Sequence, residues 1–322
     1  MWDEKNFAVE IVGAESLGVR SLCCAVNCED HRILIDPGLA LGYLRHGRHP
    51  HPVQVAVGRR VRKRILTLME QATDVVFSHF HGDHVPLEDA NPFQLSLSAL
   101  PRCFQELRIW SKAADAESGN MHRRFCNLQQ RVGDKLTVAE ARSAGPLTFS
   151  PAVPHGRPGS KLGTVMMTRV DMGKHVFVHA SDIQLLNAEA VEKILQWQPD
   201  IVLAAGPPLY LERLGQSALT DAWNNALRLA NGVDTLILDH HLMRSQAGEA
   251  WLGELSRAAG RQVDCAADFM KRPRLLLEAW RDRLYKALPV PDGWMDEYEQ
   301  GRFDVEPILE SALAQGVIPA IN

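Results

Sequence analysis

The segment Ser78-His79-Phe80-His81-Gly82-Asp83-His84 constrains this chain more than any other. Three histidines and an aspartate fall within six residues, directly after the apolar run Asp74-Val75-Val76-Phe77, in a protein with 13 histidines among 322 residues. Imidazole nitrogen and carboxylate oxygen together suit a divalent metal such as zinc, iron or manganese. In extended backbone the side-chain period is two, so His79 and His81 project to one side. Gly82 permits a turn that brings Asp83 and His84 to the same centre. Four ligands are more than one open catalytic site usually takes from a single loop, so the segment suggests two metals. The alternative reading of each histidine is an ordinary polar residue, and the motif alone does not choose a reaction.

The rest of the chain is that of an ordinary globular enzyme. Hydrophobic residues make up 46% and charged residues 23%, enough for a large core in one or two domains. A formal net charge of −4 gives no global attraction to nucleic acid or membrane. The six cysteines, Cys23, Cys24, Cys28, Cys103, Cys126 and Cys265, form no CxxC pair. They read as reduced thiols, with Cys24 and Cys28 a minor alternative as metal ligands. No apolar stretch approaches the roughly 18 residues of a membrane span, and Met1-Trp2-Asp3-Glu4-Lys5 is unlike a signal peptide. A cytoplasmic location is the expectation.

Strands are expected at 7–12, 21–27, 32–35 and 74–78, with a helix over 59–72 whose apolar positions Val61, Ile65, Leu66, Leu68 and Met69 recur at helical spacing. Residues 85–145 read as short helices with a strand near Leu107–Trp110. Strands return at 147–153, 163–170 and 174–179, the last two joined by Val170-Asp171-Met172-Gly173 as a hairpin turn. Helices at 187–197 and 217–230 then alternate with strands at 200–204 and 235–238, and residues 244–260 and 272–287 look helical. This order suggests two sheets flanked by helices around one core. The division is 1–288 as one domain, with 289–322 a peripheral extension packed on it.

Three more ligand types follow predicted strands: His155, Asp182 and His240. Polar side chains at buried strand ends cost free energy unless paired or metal-bound, which favours a shared site, although an ordinary hydrogen-bonded role stays open for each. With Asp36 in Ile33-Leu34-Ile35-Asp36-Pro37-Gly38, the ordered set of early Asp, His-x-His-x-Asp-His, later His, later Asp and last His resembles the metallo-β-lactamase-fold hydrolases. It is most similar to the UPF0282-type branch, through Gly18-Val19-Arg20-Ser21, Asp36-Pro37-Gly38-Leu39-Ala40-Leu41, His155-Gly156 with Leu162-Gly163, His179-Ala180-Ser181-Asp182 and Leu238-Asp239-His240-His241.

The resemblance implies an α+β fold, the four-layer αββα sandwich, with metals at one edge between the sheets. It implies His79, His81 and His155 on one metal and Asp83, His84 and His240 on a second, with Asp182 bridging. Asp36 would orient the histidine loop without touching metal. The cofactors expected are two divalent ions, zinc first, iron or manganese otherwise. A metal-bridging hydroxide would attack phosphorus or a carbonyl carbon, with Asp83 orienting it. His241 is the alternative last ligand or the proton donor to the leaving group. His179, by alternation from Asp182, should face away.

Weaker signals bear on the substrate. Arg59-Arg60-Val61-Arg62-Lys63-Arg64 and Met121-His122-Arg123-Arg124 are solvated helix faces or phosphate-facing patches. His46-Gly47-Arg48-His49-Pro50-His51-Pro52 is a polar loop or a gate, and Lys161 lies close enough to His155 in sequence to contact substrate. No G-x-G-x-x-G or P-loop pattern suggests a nucleotide cofactor. The expectation is a dinuclear hydrolase of a phosphoester or phosphodiester, on a small or nucleic-acid-derived anionic substrate. The alternatives are a carboxylic ester, thioester or lactone hydrolase, a diiron oxidoreductase, or a nucleic-acid-binding protein with structural metals. No membrane partner is expected, and a homo-oligomer is left open.

Overall fold

The computed structural model describes residues 9–45, 47–114, 119–211 and 214–321. Among these, one six-stranded sheet contains β1 (Val9–Gly13), β2 (Cys23–Cys28), β3 (His31–Ile35), β4 (Asp74–Phe77), β5 (Arg108–Ser111) and β6 (Leu136–Val138), paired in chain order. A second contains β7 (Ser143–Ala144), β8 (Leu147–Phe149), β11 (Thr168–Asp171), β12 (Val176–His179), β13 (Ile201–Ala204) and β14 (Thr235–Leu238), in the order β14-β13-β12-β11-β8-β7. Between β8 and β11 in sequence, β9 (Val153–Pro154) and β10 (Thr164–Val165) form a separate two-stranded ribbon. The helices are α1 (Pro52–Met69), α2 (Gly119–Val132), α3 (Ala188–Gln196), α4 (Gln216–Gly232), α5 (Gln246–Ala259), α6 (Ala266–Phe269), α7 (Arg281–Ala287), α8 (Trp294–Glu299) and α9 (Glu306–Ala314).

The layering follows from side-chain alternation. In the first sheet Cys24, Val26, Ile33, Ile35 and Val76 join one core with the second sheet. Their neighbours Cys23, Ala25, Leu34, Val75 and Phe77 join another core with α1, α2 and α9. Central strands are therefore apolar on both faces, as strands covered on both sides must be. Residues of α3, α4 and α5 cover the second sheet. This is the αββα sandwich.

Direction of the strands positions the site. The β3–β4 pair is parallel, and so are β12–β13 and β13–β14. Within each sheet, the carboxyl ends of these strands therefore lie at a common edge, the usual place for ligand sites in such sheets.

Several element boundaries differ from the sequence expectation, each for a local reason. The helix expected over 59–72 begins at Pro52, because His51 caps it: His51 Nδ1 accepts from Val53 N at 3.2 Å, and Pro52 suits the first helical position. The middle region holds the 14-residue α2 besides its short helical turns. The strand expected at 147–153 stops at Phe149, ahead of Pro151, which has no N–H for a ladder. The helix expected from 272 starts only at Arg281, since Leu275 N donates to Ser16 O at 2.7 Å. The expected strand over 7–12 includes Phe7 and Ala8, which lie outside the described residues, as does His46 of the histidine loop. The tail is more than peripheral, because Trp294, Met295, Val305, Leu309 and Ala312 are buried in the core shared with α1.

Two tests follow. Leu309→Ala leaves a cavity between α9 and α1, and urea unfolding should show a loss of about 2–4 kcal/mol. Asp74, fully buried at the start of β4, accepts from Arg108 Nε at 2.8 Å, Trp110 Nε1 at 3.0 Å and Thr73 Oγ1 at 2.7 Å. Burial pushes this carboxyl up, but those hydrogen bonds, Arg108 first, hold it below the usual range. A depressed carboxyl stabilises the fold above its unfolded pKa, about 3.9, and loses that contribution as pH falls through the folded value. Asp74→Ala should cost about 1–3 kcal/mol at pH 7, and the gap from wild type should shrink below pH 4 in denaturation curves.

Candidate metal centre

The seven residues expected as ligands come together, with His241 beside them, at the edge where β4, β12 and β14 end. Four overlapping groups have ligand atoms within 4.8 Å of one another: His79, His81, His155 and Asp182; Asp36, His79 and His84; Asp83, His84 and His240; and Asp182, His240 and His241. Asp182 is the hub. Its Oδ2 lies 3.1 Å from His155 Nε2, 3.5 Å from His79 Nε2 and 3.3 Å from His241 Nε2, and its Oδ1 lies 3.2 Å from His84 Nε2. His240 Nε2 is 3.4 Å from Asp83 Oδ2 and 3.6 Å from Asp182 Oδ2.

The far ring nitrogens are held by a second layer of partners. Asp36 Oδ2 accepts from Ser78 Oγ at 2.5 Å and faces His84 Nδ1 at 3.0 Å, while its Oδ1 accepts from Ser78 N at 2.7 Å. With its proton on Asp36, Ser78 Oγ is left as acceptor for His79 Nδ1, 3.0 Å away. Both rings thus turn Nε2 inward. Tyr210 holds His241 Nδ1 at 3.1 Å. Asp239 fixes the turn before His240, accepting from Ser16 N, His240 N and Ala266 N at 3.0, 2.7 and 2.8 Å. Asp36, Ser181 and His240 all have positive φ, at 49°, 55° and 39°. Such strained positions cluster where surrounding structure over-determines them.

Donor chemistry and electrostatics both fit a cation. His84 Nε2, Asp182 Oδ1 and His241 Nε2 are buried without a hydrogen-bond partner of proper geometry, which is costly unless something else satisfies them. Burial pushes His79 down to about 4 and His81 down to about 2, so both rings are neutral, as ligands must be. Asp182 is held well below the carboxylate range despite burial, by His84, His240 and His241. His84 goes the other way: Asp182 and then Asp36 overcome burial and push it well up. The carboxylates call for positive charge at this point.

Several residues of this assembly carried no sequence signal. Arg244 is buried, with Nε donating to Glu15 Oε1 at 2.7 Å, Nη1 to Tyr210 Oη at 3.2 Å, and Nη2 3.2 Å from His240 Nε2. Burial pushes Glu15 up to about 7, against the pull of Arg244. Ser78 and Ser181 sit next to predicted ligands, their Oγ atoms 2.6 Å apart, and adjacency was the one available hint. Glu15 and Tyr210 are remote in sequence from every motif.

Other candidates lie elsewhere. His179 Nε2 donates to Leu22 O at 2.9 Å, away from the cluster. His51 Nε2 donates to Leu288 O at 2.9 Å, and burial lowers it to about 4; it is a helix cap rather than a gate. No cysteine joins the potential ligand groups of the described residues, and Cys28 Sγ donates to Asp171 O. Lys161 is exposed on the loop between β9 and β10. Most arginines of the basic runs have partners of their own. Arg59, Arg60 and Arg64 pair with Asp304, Glu306 and Glu10, and Arg62 donates to Pro92 O. Arg123 pairs with Asp89, and Arg124 donates to Phe80 O at 3.0 Å, bracing the histidine loop.

Comparison with known proteins agrees with this architecture. Residues 31–235 match the Beta-lactamase superfamily domain, so the class is that of the β-lactamase superfamily, whose metal-dependent hydrolase fold this chain carries together with a His/Asp cluster able to bind metal. A UPF0282 protein of Methanosarcina mazei is 48% identical over 94% of this chain and 99% of its own length. Another, of Thermococcus kodakarensis, is 35% identical over 85% of this chain and 94% of its own. The chain belongs to the UPF0282 family. A solved metal-dependent hydrolase of the β-lactamase superfamily covers 81% of this chain and 96% of its own, at 10% identity and a TM-score of 0.48. Among the described residues no helix is long and apolar enough to cross a membrane.

Gly38 tests the integrity of the site. A Cβ there would overlap the main chain of His84 and Val85. Gly38→Ala should displace the histidine loop and cut bound metal to less than half of wild type by elemental analysis, while far-ultraviolet circular dichroism stays unchanged.

Proposed function

We propose that this chain is a dinuclear metal-dependent hydrolase. The observation that carries the reading is the set of inward-facing nitrogens and carboxylate oxygens around Asp182, several of them buried and unpartnered. His79, His81 and His155 would hold one ion, Asp83, His84 and His240 the other, with Asp182 between them. Zinc suits the donors, as do iron and manganese. Such ions supply Lewis acidity and a lowered pKa for water.

The chain's own residues do the rest. Asp36 and Ser78 fix the rings of His84 and His79. Asp83, partly exposed where His240 is fully buried, orients the attacking water by accepting a hydrogen bond from it. His241, with Nδ1 held by Tyr210 and Nε2 turned into the site, is placed to protonate the leaving group. It is equally placed to replace His240 as ligand, because Arg244 Nη2 stands 3.2 Å from His240 Nε2.

For substrate, a phosphoester or phosphodiester remains the preferred class. The support is no longer the surface basic runs but Arg244, whose guanidinium lies 3.8 Å from Asp83 Oδ2 at the metal cluster itself. Carboxylic esters, thioesters and lactones form the second class, since the same groups serve attack at a carbonyl. Protein purified without added metal should contain close to two ions per chain by elemental analysis; one or none removes the dinuclear reading. Asp83→Asn should lower kcat on the best substrate of a bis-aryl phosphate, aryl ester, thioester and lactone panel by about 100-fold or more, with cooperative unfolding retained. Full turnover would remove Asp83 from the chemistry.

A further inference from the structure

Beside the metal centre, four arginines gather around two glutamates. Arg20 and Arg45 pair with Glu278, the latter through Nη1 at 2.8 Å, and Arg244 pairs with Glu15. Glu278 also acts electrostatically on Arg281. With Asp83 Oδ2 3.8 Å from Arg244 Nη2, four positive charges face three negative ones, an excess of one. Arg281 has internal partners, the carbonyls of Gly42 and Arg48 and the Gln54 amide. Arg20 is a bidentate partner of Glu278.

Arg45 and Arg244 differ from these two. Both guanidinium groups lie against the ring of Tyr210, at 5.8 and 5.4 Å from its centroid. Arg45 Nε is buried with no hydrogen-bond partner. Arg244 reaches Glu15, Tyr210 and His240 through its three nitrogens, yet guanidinium has five N–H donors. The Tyr210 hydroxyl lies 3.1 Å from His241 Nδ1, so one aromatic side chain joins the arginine pair to the metal centre. Arg45 and Tyr210 are partly exposed. Spare N–H donors and surplus positive charge around a partly exposed aromatic ring are what a planar oxyanion needs.

We propose that Arg45 and Arg244, set against Tyr210, form an oxyanion-binding subsite for a carboxylate or phosphate that the substrate carries apart from its scissile bond. The proposal rests on the hydrolase reading, since it takes the substrate's reacting group to lie at the metals. The substrate is then an ester with a second anionic group, not a neutral one.

The test compares phenylphosphonate with 4-carboxyphenylphosphonate and 1,4-phenylenediphosphonate, binding to the metal-loaded protein by titration calorimetry. The second anion should tighten binding at least tenfold in wild type. Arg45→Gln should abolish that advantage and Arg45→Lys should keep most of it, with metal content unchanged and unfolding still cooperative in both. The stronger of the two dianions identifies carboxylate or phosphate as the group the subsite takes. No advantage in wild type, or an equal advantage in Arg45→Gln, overturns the proposal. Two bound metals with phenylphosphonate binding but no second-anion advantage sinks the subsite alone. A second-anion advantage in a protein that holds no metal supports the subsite and sinks the hydrolase reading.

Discussion

The carboxylate of Asp36 is the contact on which the site depends. It sits just past β3 with a φ of 49° and takes hydrogen bonds from Ser78 N, Ser78 Oγ and His84 Nδ1, with a longer one from Ser181 Oγ. Through them it fixes the start of the histidine loop and, directly for His84 and by way of Ser78 for His79, the inward-facing ring nitrogens. Buried and fully paired, it is held below the usual carboxylate range by His84 even though burial works against it. An isolated carboxylate in such a place would be costly; a paired one rigidifies what surrounds it. The short parallel contact between β3 and β4 makes this geometry possible, because it delivers Asp36 and Ser78 to the same edge.

Much of this was legible in the chain itself. The histidine cluster names its own metal chemistry, and strand periodicity locates β3, β4, β12, β13 and β14 because apolar runs bounded by turn residues have few other readings. The seven clustered residues all follow such runs, His155 after the short ribbon strand β9. What was not legible depends on contacts between distant segments. Tyr210 and Glu15 have no local signature, and Arg244 is an ordinary basic residue until the fold sets it against His240 and Glu15. Positive φ at Asp36, Ser181 and His240 is equally invisible, since none of these is a glycine. His51 shows the opposite failure: it looks like part of a histidine-rich loop, whereas its two nitrogens serve a helix amide and a distant carbonyl.

The basic runs carry a more general lesson about charge. Read along the chain, Arg59 to Arg64 is a dense positive block; folded, its arginines meet Glu10, Asp304, Glu306 and a carbonyl. Two of those partners belong to the C-terminal tail. Surface pairs of this kind contribute little stability each, but together they neutralise a feature that looked functional. Positive charge at the metal centre comes from Arg124, at the end of the second basic run, and from Arg244, which no local pattern marks.

The loop from Gly42 to His51 is held from one direction. Arg281 donates to the carbonyls of Gly42 and Arg48, Tyr285 Oη donates to His49 O, and His51 donates to Leu288 O. Arg45 rides on that loop. Its hydrogen-bond moorings therefore lie in a late stretch of chain, residues 278–288, more than two hundred positions away. During synthesis the histidine loop emerges long before residues 278–288, so the segment that carries Arg45 can take its final shape only after that late stretch has been made.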